Sequence, residues 1–361
     1  MDSINDLSAN YLQKAFTSSA TENVVTSPLS LASLLYLLWV GARGSTQSSI
    51  GSTLKINPNL SEERNRIEFT PIFEKLNSDP LLKSASKIFL NKEFNVTEPF
   101  DHLVEILNFN NVQEVTNSVN SWIESFTNGK IKKLIDESLI KPDTVMVLLN
   151  ALYFKGLWKN PFTYTKEDDF VNIDGSQRRI MFMNVIFRYR HTYLRELQAQ
   201  VLELPYQNSD IVMLICLPND PKGIFNLLKN LPSVQRTILT TKLDEKYLSA
   251  TLPRFKIETA LNLNGILKEL GMGQAFADNA DFSNLLKPGN GPAKVSAIVQ
   301  KTFVEVDEKG TESAGGSGAL IIPRMSLEDF NCKHPFLFYI YHKTLKIPII
   351  AGVVKTMNDH L

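Results

Sequence analysis

Few side chains in this sequence have both the type and the spacing to do chemistry. Gly315-Gly316-Ser317-Gly318-Ala319 falls one residue short of G-x-S-x-G, the pattern that sets a nucleophilic serine on a sharp strand-to-helix turn. Ala319 holds the last position, and Glu312, Ser313 and Ala314 lead into Ser317 where an apolar strand is needed. Five histidines, His102, His191, His334, His342 and His360, show neither H-E-x-x-H nor another ligand spacing. His334 lies in an apolar run that suits a structural ring. Gly271-Met272-Gly273-Gln274-Ala275-Phe276 is a broken phosphate-loop pattern that reads as a helix terminus, and G-x-x-x-x-G-K-[ST] is absent. No catalytic residue, metal or cofactor is expected, and the chain is not read as an enzyme.

One segment looks suited to be acted upon instead. Between Gly310 and Cys332 the only basic residue is Arg324, set between Pro323 and Met325 among mostly small, uncharged residues. A trypsin-like protease binds arginine in a pocket with a buried acid, where a charge-assisted pair fixes the scissile bond, so the bond at risk is Arg324–Met325. Pro323 fixes its own φ and pushes Ile322 towards the extended form a protease cleft needs, although a linker proline would look the same. Along an extended chain Thr311, Ser313, Gly315 and Ser317 share one face, with Glu312, Ala314 and Gly316 on the other. The first face is uniformly small, as a segment must be if it is to slip into a sheet beneath packed helices. Composition alone also fits a plain flexible Gly/Ser loop. Position favours insertion, because the segment continues from "VQKTFVEVDE", a strand that could become its antiparallel partner.

The elements that must position this segment are legible in outline. Ile4, Leu7, Tyr11, Leu12 and Ala15 recur at helix spacing, and Val119, Trp122, Ile123 and Phe126 form a stripe ended by Asn128-Gly129. Leu31 to Ala42 reads as a buried helix too short to span a bilayer. A short helix from Asn262 to Leu270 ends at Gly271. After about residue 140 strands dominate: "TVMVLLNALYF", "QVLELPY", "IVMLICLP", "LSATLPRFKIE", "VSAIVQKTFVEVDE", and a paired tail of "FLFYIYH" and "IPIIAGVVK". With no long linker or internal repeat, the sequence predicts one large α+β domain over 1–361, helices first and sheets later.

Composition bounds the partners. The chain has 361 residues, 43% hydrophobic, and 38 Lys plus Arg balance 38 Asp plus Glu, so no overall field steers it to nucleic acid or an anionic membrane. Asp2 and Asp6 stand where a leader would carry positive charge, which predicts a cytoplasmic or unconventionally exported protein, or an extracellular one had a leader been removed. Cys216 and Cys332 do not make a disulfide framework. The sequons at Asn59 and Asn95 matter only in the secretory pathway.

At these residues the sequence resembles the serpins. "VEVDEKGTESAGG" looks like the hinge of an inhibitory member, and "HPFLFYIYHKTLKIPIIAGVV" looks like the two strands that end the fold. The likeness extends over nearly the whole chain through "VTSPLSLASLLYLLWVGARGST", "NSWIESFTNGKI", "NALYFKGLW", "LELPY", "LPRFKIE" and "LGMGQAFADNADFS", in the family's order. It implies an α+β fold of about nine helices and three β-sheets. An exposed reactive-centre loop would run over residues 308–331. It also implies a mechanism: a serine protease cuts after Arg324, is acylated, and is carried off as Thr311 to Arg324 inserts as a new strand. The hinge falls on Glu308, Gly310, Thr311, Glu312, Ser313, Ala314, Gly315 and Gly316, with Ser313 in place of the commoner alanine. Ser27, Ser30 and Asn150 match the polar shutter cluster beneath the opening sheet, where the family usually adds a histidine and this chain has Gln300. Glutamine hydrogen-bonds without becoming cationic, so pH-sensitive opening is not implied here. Trp158 matches the breach tryptophan where the loop first enters. In "SEERNRIEFTPIFEKLNS", which should hold the family's glycosaminoglycan helix, Arg64, Arg66 and Lys75 are matched by Glu62, Glu63, Glu68 and Glu74, so strong heparin activation is not expected. The expected partners are trypsin-like serine proteases bound covalently to a monomer. The alternative is a non-inhibitory serpin serving as carrier, chaperone or storage protein.

Overall fold

Apolar residues at helix spacing coil and uninterrupted apolar runs extend in the computed structural model, which describes residues 2–79, 81–127, 129–141, 143–309 and 327–358. The α-helices among the described residues are α1 (Asp2–Thr17), α2 (Pro28–Gly41), α3 (Gly44–Leu54), α4 (Glu62–Ser78), α5 (Val112–Phe126), α6 (Gly223–Lys229), α7 (Leu231–Thr240) and α8 (Asn264–Leu267). The strands are β1 (Val24–Thr26), β2 (Leu82–Asn91), β3 (Val104–Leu107), β4 (Met146–Phe154), β5 (Tyr164–Val171), β6 (Gln177–Leu194), β7 (Ala199–Pro205), β8 (Ile211–Pro218), β9 (Asp244–Pro253), β10 (Phe255–Asn262), β11 (Val295–Val306), β12 (Glu328–Asn331), β13 (Phe336–His342) and β14 (Ile347–Val354). No helix among the described residues is long and apolar enough to cross a membrane.

The chain divides into two compact units, described separately. The first comprises Met1–Tyr11, Thr26–Phe154 and Glu258–Phe303. Its helices start and stop on local signals. The Ser27 hydroxyl accepts from Ser30 N–H at the head of α2, with Pro28 in the first turn where a missing N–H does no harm. Asn111 caps α5 by accepting from Glu114 N–H and donating to the Glu114 carboxylate (2.8 Å). The short helix α8 continues as a wider turn through Lys268–Met272, and Gly271 ends it at φ +105°, a conformation that excludes most side chains. A five-stranded sheet runs in the order β10-β11-β4-β2-β3. Alternate residues of β4 and β11 face α5, so that Val115, Val119 and Ile123 of the helix share one buried cluster with Val147, Leu149, Ala151 and Tyr153 and with Ala297, Val299 and Phe303.

The second unit comprises Leu12–Val25, Lys155–Ile257 and Val304–Leu361. Its sheet follows the order β1-β14-β13-β8-β7-β6-β9-β12, with β5 also on β6. The 18-residue β6 pairs with β5 and β9 along most of its length and with β7 only over Arg190–Leu194. It therefore joins a small β5-β6-β9-β12 array to the main sheet, and that array is the third sheet the sequence resemblance implies. Every residue of β8, β13 and β14 is buried, which is why these strands read as solid apolar strings.

Where the sequence suggested helices alone in the first third, β2 and β3 also form. Leu82–Asn91 alternates lysine and serine with apolar residues, a weak strand signal, and its extended form is imposed by nine residue pairs with β4. The hairpin of β5 with β6 is masked by charge in the same way, because its first residues are exposed.

Gly352 of β14 lies opposite Phe338 of β13, and an added Cβ would collide with the Phe338 ring, itself held by Phe255 and Phe336. We expect Gly352→Ala to destabilise the fold by about 2 kcal/mol, read as a lower urea midpoint with unchanged slope.

Candidate functional site

The seam between β4 and β11 carries a buried polar cluster centred on Gln300. β11 brings the Gln300 amide to the face opposite α5, where its Nε2 donates to Asn150 Oδ1 across the seam (2.9 Å) and to Ser27 C=O (2.9 Å). Its Oε1 accepts from Ser27 N–H (3.0 Å), Tyr11 O–H (3.1 Å) and the Thr26 hydroxyl. Tyr11 and Thr26 are also hydrogen-bonded to each other. Asn150 Nδ2 donates to Ser86 Oγ (2.9 Å), and Ser30 Oγ meets Ser84 Oγ (3.2 Å). All of Ser27, Ser30, Asn150 and Gln300 are buried. The amide thus bonds through both ends with no formal charge. Tyr11 is the titratable group in these contacts, and burial raises its pKa far above the physiological range.

Two further contacts close the seam. The rings of Tyr153 and Phe303 lie 5.3 Å apart on the α5 side, and Val145 N–H donates to Ser296 Oγ (2.9 Å) at the other end of β11. Beside them Lys301 is almost fully buried, paired with Glu258 (2.5 Å) and hydrogen-bonded to Lys133 C=O in the chain that follows α5.

In the second unit, the chain leaving β11 is tied down as far as Lys309. Trp158, buried, stacks on Tyr206 (4.5 Å, 13°) and meets Phe162 edge-on (5.9 Å). Its indole Nε1–H donates to Asp307 C=O (2.9 Å), and its backbone N–H donates to Lys309 C=O (3.4 Å). Phe162 N–H donates to Glu308 C=O (3.0 Å), while the Glu308 carboxylate pairs with Arg254. Glu308 and Trp158 are therefore brought together. The expectations on Gly310, Thr311, Glu312, Ser313, Ala314, Gly315, Gly316, Ile322, Pro323, Arg324 and Met325 lie outside the described residues.

On the far side of that segment β12 pairs with β9 in parallel. Glu328 at its head pairs with Lys246 (3.0 Å) and lies 3.5 Å from His191 Nδ1. His191 is buried, with Nε2 against Gln200 Oε1 (3.1 Å) and the ring edge-on to Phe330. Burial lowers its pKa below the ordinary value, against the smaller opposing effects of Gln200 and Glu328. Cys216 and Cys332 are buried free thiols, and burial pushes Cys216 up to about 12, away from thiolate chemistry.

Sequence reasoning found Ser27, Ser30, Asn150, Gln300, Trp158 and Glu308. It missed Tyr11, Thr26, Ser84, Ser86 and Arg254, which no local pattern marks. The clearest available signal was a tyrosine hydroxyl on the buried stripe of a helix, which needs a partner.

Comparison with known proteins gives a coherent result. The family described as "Serpin (serine protease inhibitor)" matches residues 2–357. The chain is 32% identical to Serine protease inhibitor 42Dd of Drosophila melanogaster over 337 residues, covering 90% of this chain and 89% of that protein. Among solved structures, Serpin48 of the insect Tenebrio molitor aligns with a TM-score of 0.88 at 30% identity, covering 99% of this chain and 98% of that one. Thyroxine-binding globulin in complex with thyroxine aligns with a TM-score of 0.87 at 25% identity, covering 99% of each chain.

Gln300→Leu would leave the buried partners of the amide unsatisfied, and we expect a loss of about 2–4 kcal/mol in urea unfolding. The buried His191 gives a second prediction. Its folded pKa lies below the ordinary 6.5, so as pH falls below that value the unfolded chain takes up the proton first, and stability is lost as pH drops through the folded pKa. The urea midpoint should fall between pH 7 and pH 5, and His191→Gln should reduce that fall.

Proposed function

The chain belongs to the serpin family, and from that premise we propose that it inhibits trypsin-like serine proteases as a suicide substrate, with Arg324–Met325 as the reactive bond. The protease serine attacks the Arg324 carbonyl, the Met325 amine leaves with a proton, and the acyl-enzyme remains attached to Arg324. Thr311 to Arg324 then enters between β4 and β11, and residues 1–361 act as one domain. The observation that carries this reading is the direct neighbouring of β4 and β11, a seam filled by Gln300 and Asn150 at the position a new strand must take.

Geometry and energy support it. Fourteen residues from Thr311 to Arg324 span about 45 Å when extended, enough to run beside all of the 12-residue β11. About ten new backbone hydrogen bonds at roughly 1 kcal/mol net each would release on the order of 10 kcal/mol, comparable to the stability of a whole domain. The intact protein is then held by a kinetic barrier rather than by lying lowest in free energy. The ties on Asp307, Glu308 and Lys309 form the fixed end from which the hinge turns.

The carrier reading draws support from the likeness to thyroxine-binding globulin. The hinge argues against it, because Thr311, Ser313 and Gly315 include neither proline nor a bulky charge. Heparin is not required in this reading, since α4 exposes Glu62, Glu63 and Glu74 beside Arg64 and Arg66.

Incubation with trypsin followed by a denaturing gel tests the proposal: a boiling-resistant band at the summed mass is expected, and clean cleavage with free, active trypsin would favour the carrier. Thr311→Arg should be cut at Arg324 with complex formation reduced at least tenfold, whereas Arg324→Ala should no longer inhibit trypsin. Covalent complex from the first variant would sink the insertion step, and inhibition by the second would move the scissile bond.

A further inference from the structure

Away from the seam, the ends of α2 and α3 and the start of α4 enclose a cavity of 710 Å³. That volume falls within the roughly 300–1,000 Å³ of ordinary small-molecule sites. Trp39, Ile56 and Leu60 supply apolar walls. Gly51 lets the indole come close, because a Cβ there would sit 2.9 Å from Trp39 Nε1. The charged lining side chains, Lys55 and Glu62, are of opposite sign, which suits a neutral occupant.

Two uncommitted polar atoms define what that occupant must offer. Asn65, only 2% exposed, lines the cavity, and its Oδ1 is buried without a hydrogen-bond partner. Its orientation is not interchangeable: Nδ2 donates to the carbonyls of Asn57 (3.2 Å), Leu60 (3.3 Å) and Ser61 (3.2 Å), so a rotated amide would set oxygen against three carbonyl oxygens. A buried acceptor left in this state calls for a donor from elsewhere. The indole N–H of Trp39 likewise meets no acceptor among the described residues, although its backbone carbonyl accepts from Gln47 (3.3 Å). The cavity therefore presents one free acceptor and one free donor between apolar walls.

We propose that this cavity binds a small neutral carboxamide on a flat apolar ring, its N–H donating to Asn65 Oδ1 and its carbonyl accepting from the Trp39 indole. A carboxamide carries both complementary groups without charge, and a flat ring matches the indole wall. The site is independent of protease trapping.

Calorimetric titration of the full chain with benzamide tests it. Saturable binding at one site is expected, with N,N-dimethylbenzamide, which lacks the N–H, at least tenfold weaker on the same folded protein. Ser52 is exposed on the cavity lining, and Ser52→Phe should weaken benzamide at least tenfold while leaving trypsin inhibition as in the parent. Absence of saturable binding, equal affinity for the two amides, or undiminished affinity in Ser52→Phe would each overturn the proposal. Ordered water alone against Asn65 Oδ1 in a crystal grown with benzamide would overturn it as well.

Discussion

Because β4 lies hydrogen-bonded against β11, anything that is to enter the sheet between them must first part that ladder. Parting it also breaks the bond from Gln300 to Asn150, separates Tyr153 from Phe303, and divides the apolar cluster that α5 shares with both strands. None of these losses is recovered until a new strand supplies fresh partners. A buried amide torn from its acceptor leaves unsatisfied groups worth about 1–3 kcal/mol each, so the barrier rises before any gain arrives. That ordering of losses and gains is what a kinetically held state requires.

The chemistry of the cluster decides how the seam responds to conditions. A glutamine at its centre bonds in both directions without charge, and its tyrosine neighbour stays protonated because burial opposes the phenolate. Acid therefore has no direct purchase on the seam. It acts elsewhere, at His191 beside β12, where burial disfavours the charged ring although Glu328 lies close by. Trp158, Phe162 and Arg254 meanwhile anchor Asp307 to Lys309 through backbone and side chain alike. Such an anchor sets where a hinge in the chain beyond it must begin.

Much of this was legible in the sequence, for reasons that differ by element. The solid apolar strings of β8, β13 and β14 declare strands buried on both faces, and the spacing in α5 declares one covered face. Gln300, Asn150, Ser27 and Trp158 could be placed only through the family resemblance, because single polar residues in apolar strands carry no partner label. Tyr11, Thr26, Ser84 and Ser86 were invisible, since they join the cluster across separations as long as the 289 residues between Tyr11 and Gln300. Arg254 sat in a quoted motif, yet its pairing with Glu308 depends on tertiary proximity. The strands β2 and β6 were hidden by lysine, serine and arginine on their exposed faces. The orphan oxygen of Asn65 was equally beyond reach, for it exists only once three carbonyls have claimed the nitrogen.

The measurement that bears most directly on the seam is thermal unfolding of the intact chain against the same chain cut once between Gly310 and Ser326 by a protease that does not remain bound. If the freed segment enters between β4 and β11, a gain on the order of 10 kcal/mol should raise the midpoint by more than about 10 °C. An unchanged or lowered midpoint after a verified single cut would mean that the seam does not open to receive a strand, and would contradict the account.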